Sequence, residues 1–132
     1  TPLYSSAASD VYKRQVSRTL IDKIFKREGE IISKFPLSFI FLEVPLYDKV
    51  PAQILFSVPV RKVKKAHERN HIKRLMRECY RLQKLLIYDL INIKPGRQYV
   101  LCLMYNDTKI PEFFELEEKT KIIFNAFGKK IS

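Results

Sequence analysis

Three kinds of side chain in this 132-residue sequence could do chemistry: two histidines, two cysteines and one dense run of cations. His67 and His71 stand four apart, so on a helix they share a side, as an acid–base pair for RNA cleavage would. No carboxylate stands where it would orient them, and a self-contained nuclease is not the expectation. Cys79 and Cys102 are isolated, lie at apolar positions and lack zinc spacing. They read as small core residues in a reducing compartment, which places the chain in the cytoplasm. The third set is the stretch 61–84, RKVKKAHERNHIKRLMRECYRLQK, where ten Lys/Arg against two Glu put +8 of the chain's formal +11 into 24 residues. Arg recognises phosphate in a planar, bidentate way, while Lys acts as a mobile point charge. Asn70 is the one neutral amide among them. Its uses are a hydrogen bond to a nucleotide, a place in the outer shell of a hydrated metal, or a local cap.

The element that must position these cations is a helix over Ala66–Leu86. At about 100° per residue, Ile72, Leu75, Met76, Cys79, Tyr80, Leu82 and Leu86 fall on one arc. Asn70, Lys73, Arg74, Arg77, Arg81 and Lys84 fall on another, nearly opposite, with His71 off to one side near Glu78. The apolar arc is expected to pack on the fold and the basic arc to stay in water. There, like charges at i,i+4 such as Lys73/Arg77 repel by a few tenths of a kcal/mol, a cost that a polyanion relieves. Arg61, Lys62, Lys64 and Lys65 bring further charge to the helix N-terminus, where anions bind favourably. Binding to several phosphates would be strongly salt-dependent.

The rest of the chain reads as scaffold. Arg18–Glu28 is expected to form a helix with Ser17 as cap and Leu20, Ile21, Ile24 and Phe25 in one stripe, ended by Gly29. Leu37–Val44 reads as a strand, and Ala52–Val58 as a second strand, its antiparallel partner, limited by Pro59. Leu85–Ile93 stays apolar up to a turn at Lys94-Pro95-Gly96. Gln98–Tyr105 is an apolar, interior strand, which makes a β-α-β unit around the basic helix. A C-terminal helix begins near Pro111, with Glu112, Glu115, Glu117 and Glu118 early and Lys119, Lys121, Lys129 and Lys130 later, as the helix dipole favours. Its acidic start marks a side turned away from RNA. Residues 1–15, TPLYSSAASDVYKRQ, do not join this pattern. They are set aside as a non-native or disordered leader, and one domain is expected over 16–132.

With 46% hydrophobic residues and a pI near 9.7, the chain can fold as one modest domain whose partner is nucleic acid or an anionic surface. No run of 18 apolar residues is present. A DNA-reading helix would need an adjoining helix, and strands flank this one instead. The apolar arc is needed for the fold, which argues against a membrane-surface helix.

Ser57–Glu78, SVPVRKVKKAHERNHIKRLMRE, resembles the signature of the protein component of bacterial ribonuclease P. That signature is Arg-Asn-Arg, two positions, Arg, two positions, then Arg-Glu or Arg-Gln, after a Lys-rich turn. Ala66, Arg69, Asn70, Lys73, Arg74, Arg77 and Glu78 match it in place, while His71 stands where the third position of the triplet is usually Arg. The resemblance covers about 18–127. It implies an α+β sandwich like the second domain of ribosomal protein S5: a mostly antiparallel sheet of about four strands, with the long basic helix in a β-α-β crossover. It implies an endoribonuclease holoenzyme in which a catalytic RNA and Mg2+, bound mainly by that RNA, remove the 5′ leader of precursor tRNA. The protein then has no catalytic residue and meets metal at most through water near Asn70. The expected partners are the catalytic RNA and precursor tRNA, with no membrane and no DNA. Contacts to the catalytic RNA are expected from Arg61, Lys62, Lys64, Lys65, Arg69, Asn70, His71, Lys73, Arg74, Arg77 and Arg81. A cleft for the single-stranded leader is expected between the first helix and a strand, walled by Phe25, Phe39 and Phe41. Ile21 stands there where the family often has an aromatic. The alternative is a general RNA-binding or ribosome-associated protein without a nuclease role.

Overall fold

A computed structural model describes residues 29–46 and 49–132 of the chain. The expected leader at 1–15 and the expected first helix, with Ile21 and Phe25, lie outside these residues. Within them the order is β1 (Glu30–Lys34), β2 (Leu37–Glu43), β3 (Ala52–Ser57), α1 (Ala66–Asn92), β4 (Tyr99–Tyr105) and α2 (Phe113–Ile131). It is a small α+β arrangement with one mixed four-stranded sheet in the order β1-β2-β4-β3.

β1 and β2 form a hairpin across Phe35-Pro36, a cis peptide bond. β2 pairs antiparallel with β4, and β3 pairs parallel with β4. The expected direct pairing of the Leu37 and Ala52 strands is therefore corrected: β4 lies between them. A strand that follows β3 through a long helix can return beside it in the same direction, and its apolar sequence YVLCLMY suits the central place. β1 was not anticipated. Gly29 stands just before it. A Cβ there would sit 2.5 Å from the Phe41 carbonyl oxygen, so only glycine lets the chain pass this close to β2.

Strand alternation divides the buried residues by face. Leu37, Phe39, Phe41, Ala52, Phe56, Tyr99, Leu101, Leu103 and Tyr105 form one core with residues of both helices, among them Ile72, Met76, Cys79, Leu116, Ile123, Phe124 and Phe127. Phe127 stands edge-on to Phe39, Phe41 and Tyr99 at centroid distances of 5.4, 4.9 and 5.5 Å. Ile40, Leu55, Val100 and Cys102 occupy the opposite face and are buried too.

α1 runs on to Asn92, well past Leu86, because the apolar segment 85–93 continues the helix with Ile87 and Ile91 in the core. The helix ends before the turn at Gly96, whose φ of 91° only glycine adopts easily. α1 and α2 lie side by side. The buried Gln83 amide donates to Thr120 Oγ1 at 2.9 Å, and a Cβ on Gly128 would come within 2.8 Å of Leu90 Cδ1. Arg97 ties the ends of both helices, donating to the carbonyls of Ile91 (3.0 Å), Lys94 (3.2 Å) and Ile131 (2.5 Å).

Candidate nucleic-acid interface

The site is built on the turn after β3 and the first three-quarters of α1. Lys62 N and Val63 N both donate to Pro59 O at 3.1 Å, which closes the turn. Buried Val63 anchors it in the core. Arg69 Nη1 then reaches back from the helix to the carbonyls of Val63 (3.0 Å) and Lys64 (2.8 Å). α1 starts at Ala66, and Lys65 at the capping position gives it no side-chain hydrogen bond. Arg61, Lys64 and Lys65, just before the helix, are exposed, and both the uncapped N–H groups and these cations favour an anion at this end.

On the helix itself Asn70, His71, Arg74, Arg77 and Arg81 are exposed, as is Lys84. The arc lies beside the edge strand β3. Arg77 Cζ stands 5.8 Å over the ring of Phe56, and Tyr88 Oη donates to Ala52 O at 3.4 Å. Arg81 is paired with Glu78 one turn back, Nε lying 3.1 and 3.0 Å from the two carboxylate oxygens. That hydrogen bond holds the Glu78 carboxyl below its ordinary value and the Arg81 guanidinium above its own. An arriving phosphate must therefore compete with a carboxylate at Arg81, and among the described residues meets no ion pair at Arg74 or Arg77.

Two residues expected to contact RNA, Arg69 and the outward-arc member Lys73, are corrected to buried. Arg69 is 8% exposed and Lys73 2%. Arg69 holds the turn and acts as a positioning residue. Lys73 is drawn inward, and burial first, then the charges of Arg77 and Arg69, push its ammonium below the ordinary lysine value. In exchange Leu82 and Leu86, expected in the core, are 52% and 46% exposed. The buried arc is thus turned by about 50° toward the cations. The long aliphatic stems of Arg69 and Lys73 fill core space that a wheel assigns to apolar residues.

The strand wall of the expected leader cleft is also corrected. Phe39 and Phe41 are 0% and 4% exposed and pack against α2, so neither ring has a face for a base. Positions 38, 40 and 42 of β2 point to the other face of the sheet, and they carry Ser, Ile and Leu.

No group of three or more His, Cys, Asp or Glu is placed to share a metal ion among the described residues, and no described helix is long and apolar enough to cross a membrane. Asn70 is an exposed amide surrounded by cations. That donor set does not suit a directly bound divalent ion. The cysteine thiols are buried and pushed up to about 11 at Cys79 and about 12 at Cys102, chiefly by burial.

A family model described as Ribonuclease P matches residues 12–127. The chain belongs to the ribonuclease P protein family. It is 30% identical over 93 residues to the ribonuclease P protein component of Chlorobaculum tepidum, an alignment covering 67% of this chain and 60% of that protein. The chain thus spans somewhat less than two thirds of that relative's length. It is 28% identical over 105 residues to the component from Porphyromonas gingivalis, covering 80% and 75%. Among solved structures, the ribonuclease P protein of Staphylococcus aureus superposes with a TM-score of 0.60 at 14% identity, over 83% of this chain and 90% of that one. The Thermotoga maritima protein gives 0.62 at 20% identity, over 83% and 94%. At these identities the likeness is one of fold. Residues 61–81, with the exposed arc of α1, lie inside the matched region.

Proposed function

We propose that this chain is the RNA-binding protein subunit of ribonuclease P, which assists a catalytic RNA in removing the 5′ leader of precursor tRNA. The observation that carries the reading is the exposed row Asn70, Arg74, Arg77 and Arg81 on α1, set on the residues that match the family's motif. Its architecture is that of the second domain of ribosomal protein S5, and it works in the cytoplasm. Chemistry belongs to the RNA and to Mg2+ held mainly by the RNA. The protein's residues bind and orient: Arg61, Lys62, Lys64 and Lys65 take phosphates at the helix N-terminus, and Arg74, Arg77 and Arg81 take them along its flank. Arg69 fixes the turn that aligns the two groups. Asn70 offers an amide that a hydrated Mg2+ of the RNA could meet only through its water shell.

The test is cleavage of a leader-bearing precursor tRNA by the RNA subunit of the source organism's ribonuclease P, at low Mg2+, with and without the protein. Stimulation, with no cleavage by the protein alone, is expected. Tight, salt-sensitive RNA binding without stimulation would replace the reading by a general RNA-binding role.

A further inference from the structure

The arc of α1 that carries the cations continues past Arg81 with Lys84, then with the neutral Tyr88 and Asn92, and ends at a hollow. Lys84 is exposed, and its Nζ lies 5.4 Å over the ring of Tyr88. Tyr88 is itself held to the edge strand through its hydroxyl bond to Ala52 O. One turn further Asn92, also exposed, lines an open hollow of about 470 Å³ together with Lys49, Val50, Pro51, Gly96, Arg97 and Gln98.

Gln98 braces that hollow. Its Nε2 donates to Val50 O and its Oε1 accepts from Leu46 N, both at 2.9 Å. The wall formed by the β2–β3 connection is thereby tied to the start of β4. The volume falls in the range of small-ligand sites, roughly 300–1,000 Å³. The exposed Lys49 ammonium and the Asn92 amide give it a cation and a two-way hydrogen-bonding group, the pair that a phosphate and a base edge require. On a helical wheel Lys84, Tyr88 and Asn92 fall within the same arc as Asn70, Arg74, Arg77 and Arg81. Arg81 to Asn92 spans about 16 Å along the helix axis.

We propose that the RNA track on α1 does not stop at Arg81 but runs over Lys84 and into the hollow beside Asn92 and Lys49, where one nucleotide of the bound RNA is seated. This rests on the RNA-binding reading above. Lys84 is the phosphate contact, and Tyr88 is a positioning residue whose ring holds the ammonium on the arc. Lys49 takes the phosphate of the seated nucleotide, and Asn92 meets its base edge.

The experiment measures affinity of the full chain for the transcribed RNA subunit of ribonuclease P as a function of KCl. The variants are Arg74→Ala, Lys84→Ala, Tyr88→Phe, Tyr88→Leu, Lys49→Glu and Asn92→Ala, with Lys109→Glu as a charge control on the exposed loop before α2. Lys84→Ala and Lys49→Glu are expected to weaken binding by about five- to tenfold, and Lys84→Ala to lower the salt slope by about 1. Asn92→Ala should weaken binding without changing that slope. Tyr88→Leu should reproduce part of the Lys84→Ala loss and add little to it in the double variant, whereas Tyr88→Phe, which keeps the ring and loses only the bond to Ala52 O, should lose less than Tyr88→Leu. Normal binding by the Lys84, Asn92 and Lys49 variants, with Arg74→Ala impaired, would overturn the extension and leave the functional reading standing. Normal binding by Arg74→Ala as well would overturn both. An equal loss in Lys109→Glu would also overturn the extension, by reducing the effect to net charge.

Discussion

Arg74 and Arg77 stand on one face of α1 with different surroundings: Arg77 leans over Phe56, while Arg74 projects into water. Replacing either by Ala removes a cation and leaves the core intact. RNA affinity should fall and the slope of log K against log salt should drop by about 1 for each, while the urea midpoint stays put. A salt titration beside an unfolding curve checks both. Lys73 behaves differently, because its ammonium is buried and its folded pKa is depressed below 10.5. Burial penalises the charged ammonium in the folded state and not in the unfolded chain. As pH rises through the lowered value, the folded protein releases the proton first, the unfolded chain binds more, and stability from this group increases up to about the unfolded value. Unfolding of the parent and of Lys73→Met at pH 7 and pH 9 should show the parent gaining relative to the variant. The outward turn of Arg74, Arg77 and Arg81 was legible from helical periodicity alone. The inward turn of Arg69 and Lys73 was not, since periodicity counts a cation as polar and cannot see a long stem filling a gap against the sheet.

At the scale of elements, Arg97 concentrates an unusual amount of work in a single side chain. One guanidinium serves the carbonyl ends of α1 and α2, where both helix dipoles are negative, and its Cζ also lies 5.8 Å from the Tyr99 ring. Arg97→Ala leaves those carbonyls without a partner and should destabilise the fold by about 2–3 kcal/mol, read as a lowered thermal midpoint. Arg97→Lys should recover only part of this, because an ammonium cannot fork across two helices. Sequence periodicity anticipated the long helix, the C-terminal helix and three of the four strands. β1 escaped because EIISK is short and four of its five residues are exposed, so it carries no core-facing alternation. The order of the sheet escaped because β3 was matched to its neighbour in sequence. Its true neighbour is set by where the chain lands after 27 helical residues.

Over the whole molecule, charge is segregated. The turn and flank of α1 are basic, while α2 opens with Glu112 and Glu115 and closes with Lys129 and Lys130, so a polyanion is drawn to the α1 side. The two thiols report on the integrity of the core. With Cys79 pushed up to about 11 and Cys102 to about 12, neither is a thiolate at pH 8, and both are buried. Alkylation of the native protein at pH 8 should be slow for both. In urea above the midpoint it should run at the rate of an ordinary cysteine, and a fast-reacting native thiol would show that the sheet opens locally. The central place of β4 also has a bearing on synthesis. β2 and β3 leave the ribosome before the strand that joins them, and the nearer, β3, is separated from it by the 41 residues between Ser57 and Tyr99. At roughly 5–20 residues per second that gap lasts about 2–8 s. Through that interval the edges that will receive β4 hang open, so the nascent chain depends on local helix formation in α1, or on a chaperone, to stay out of trouble until the sheet can close.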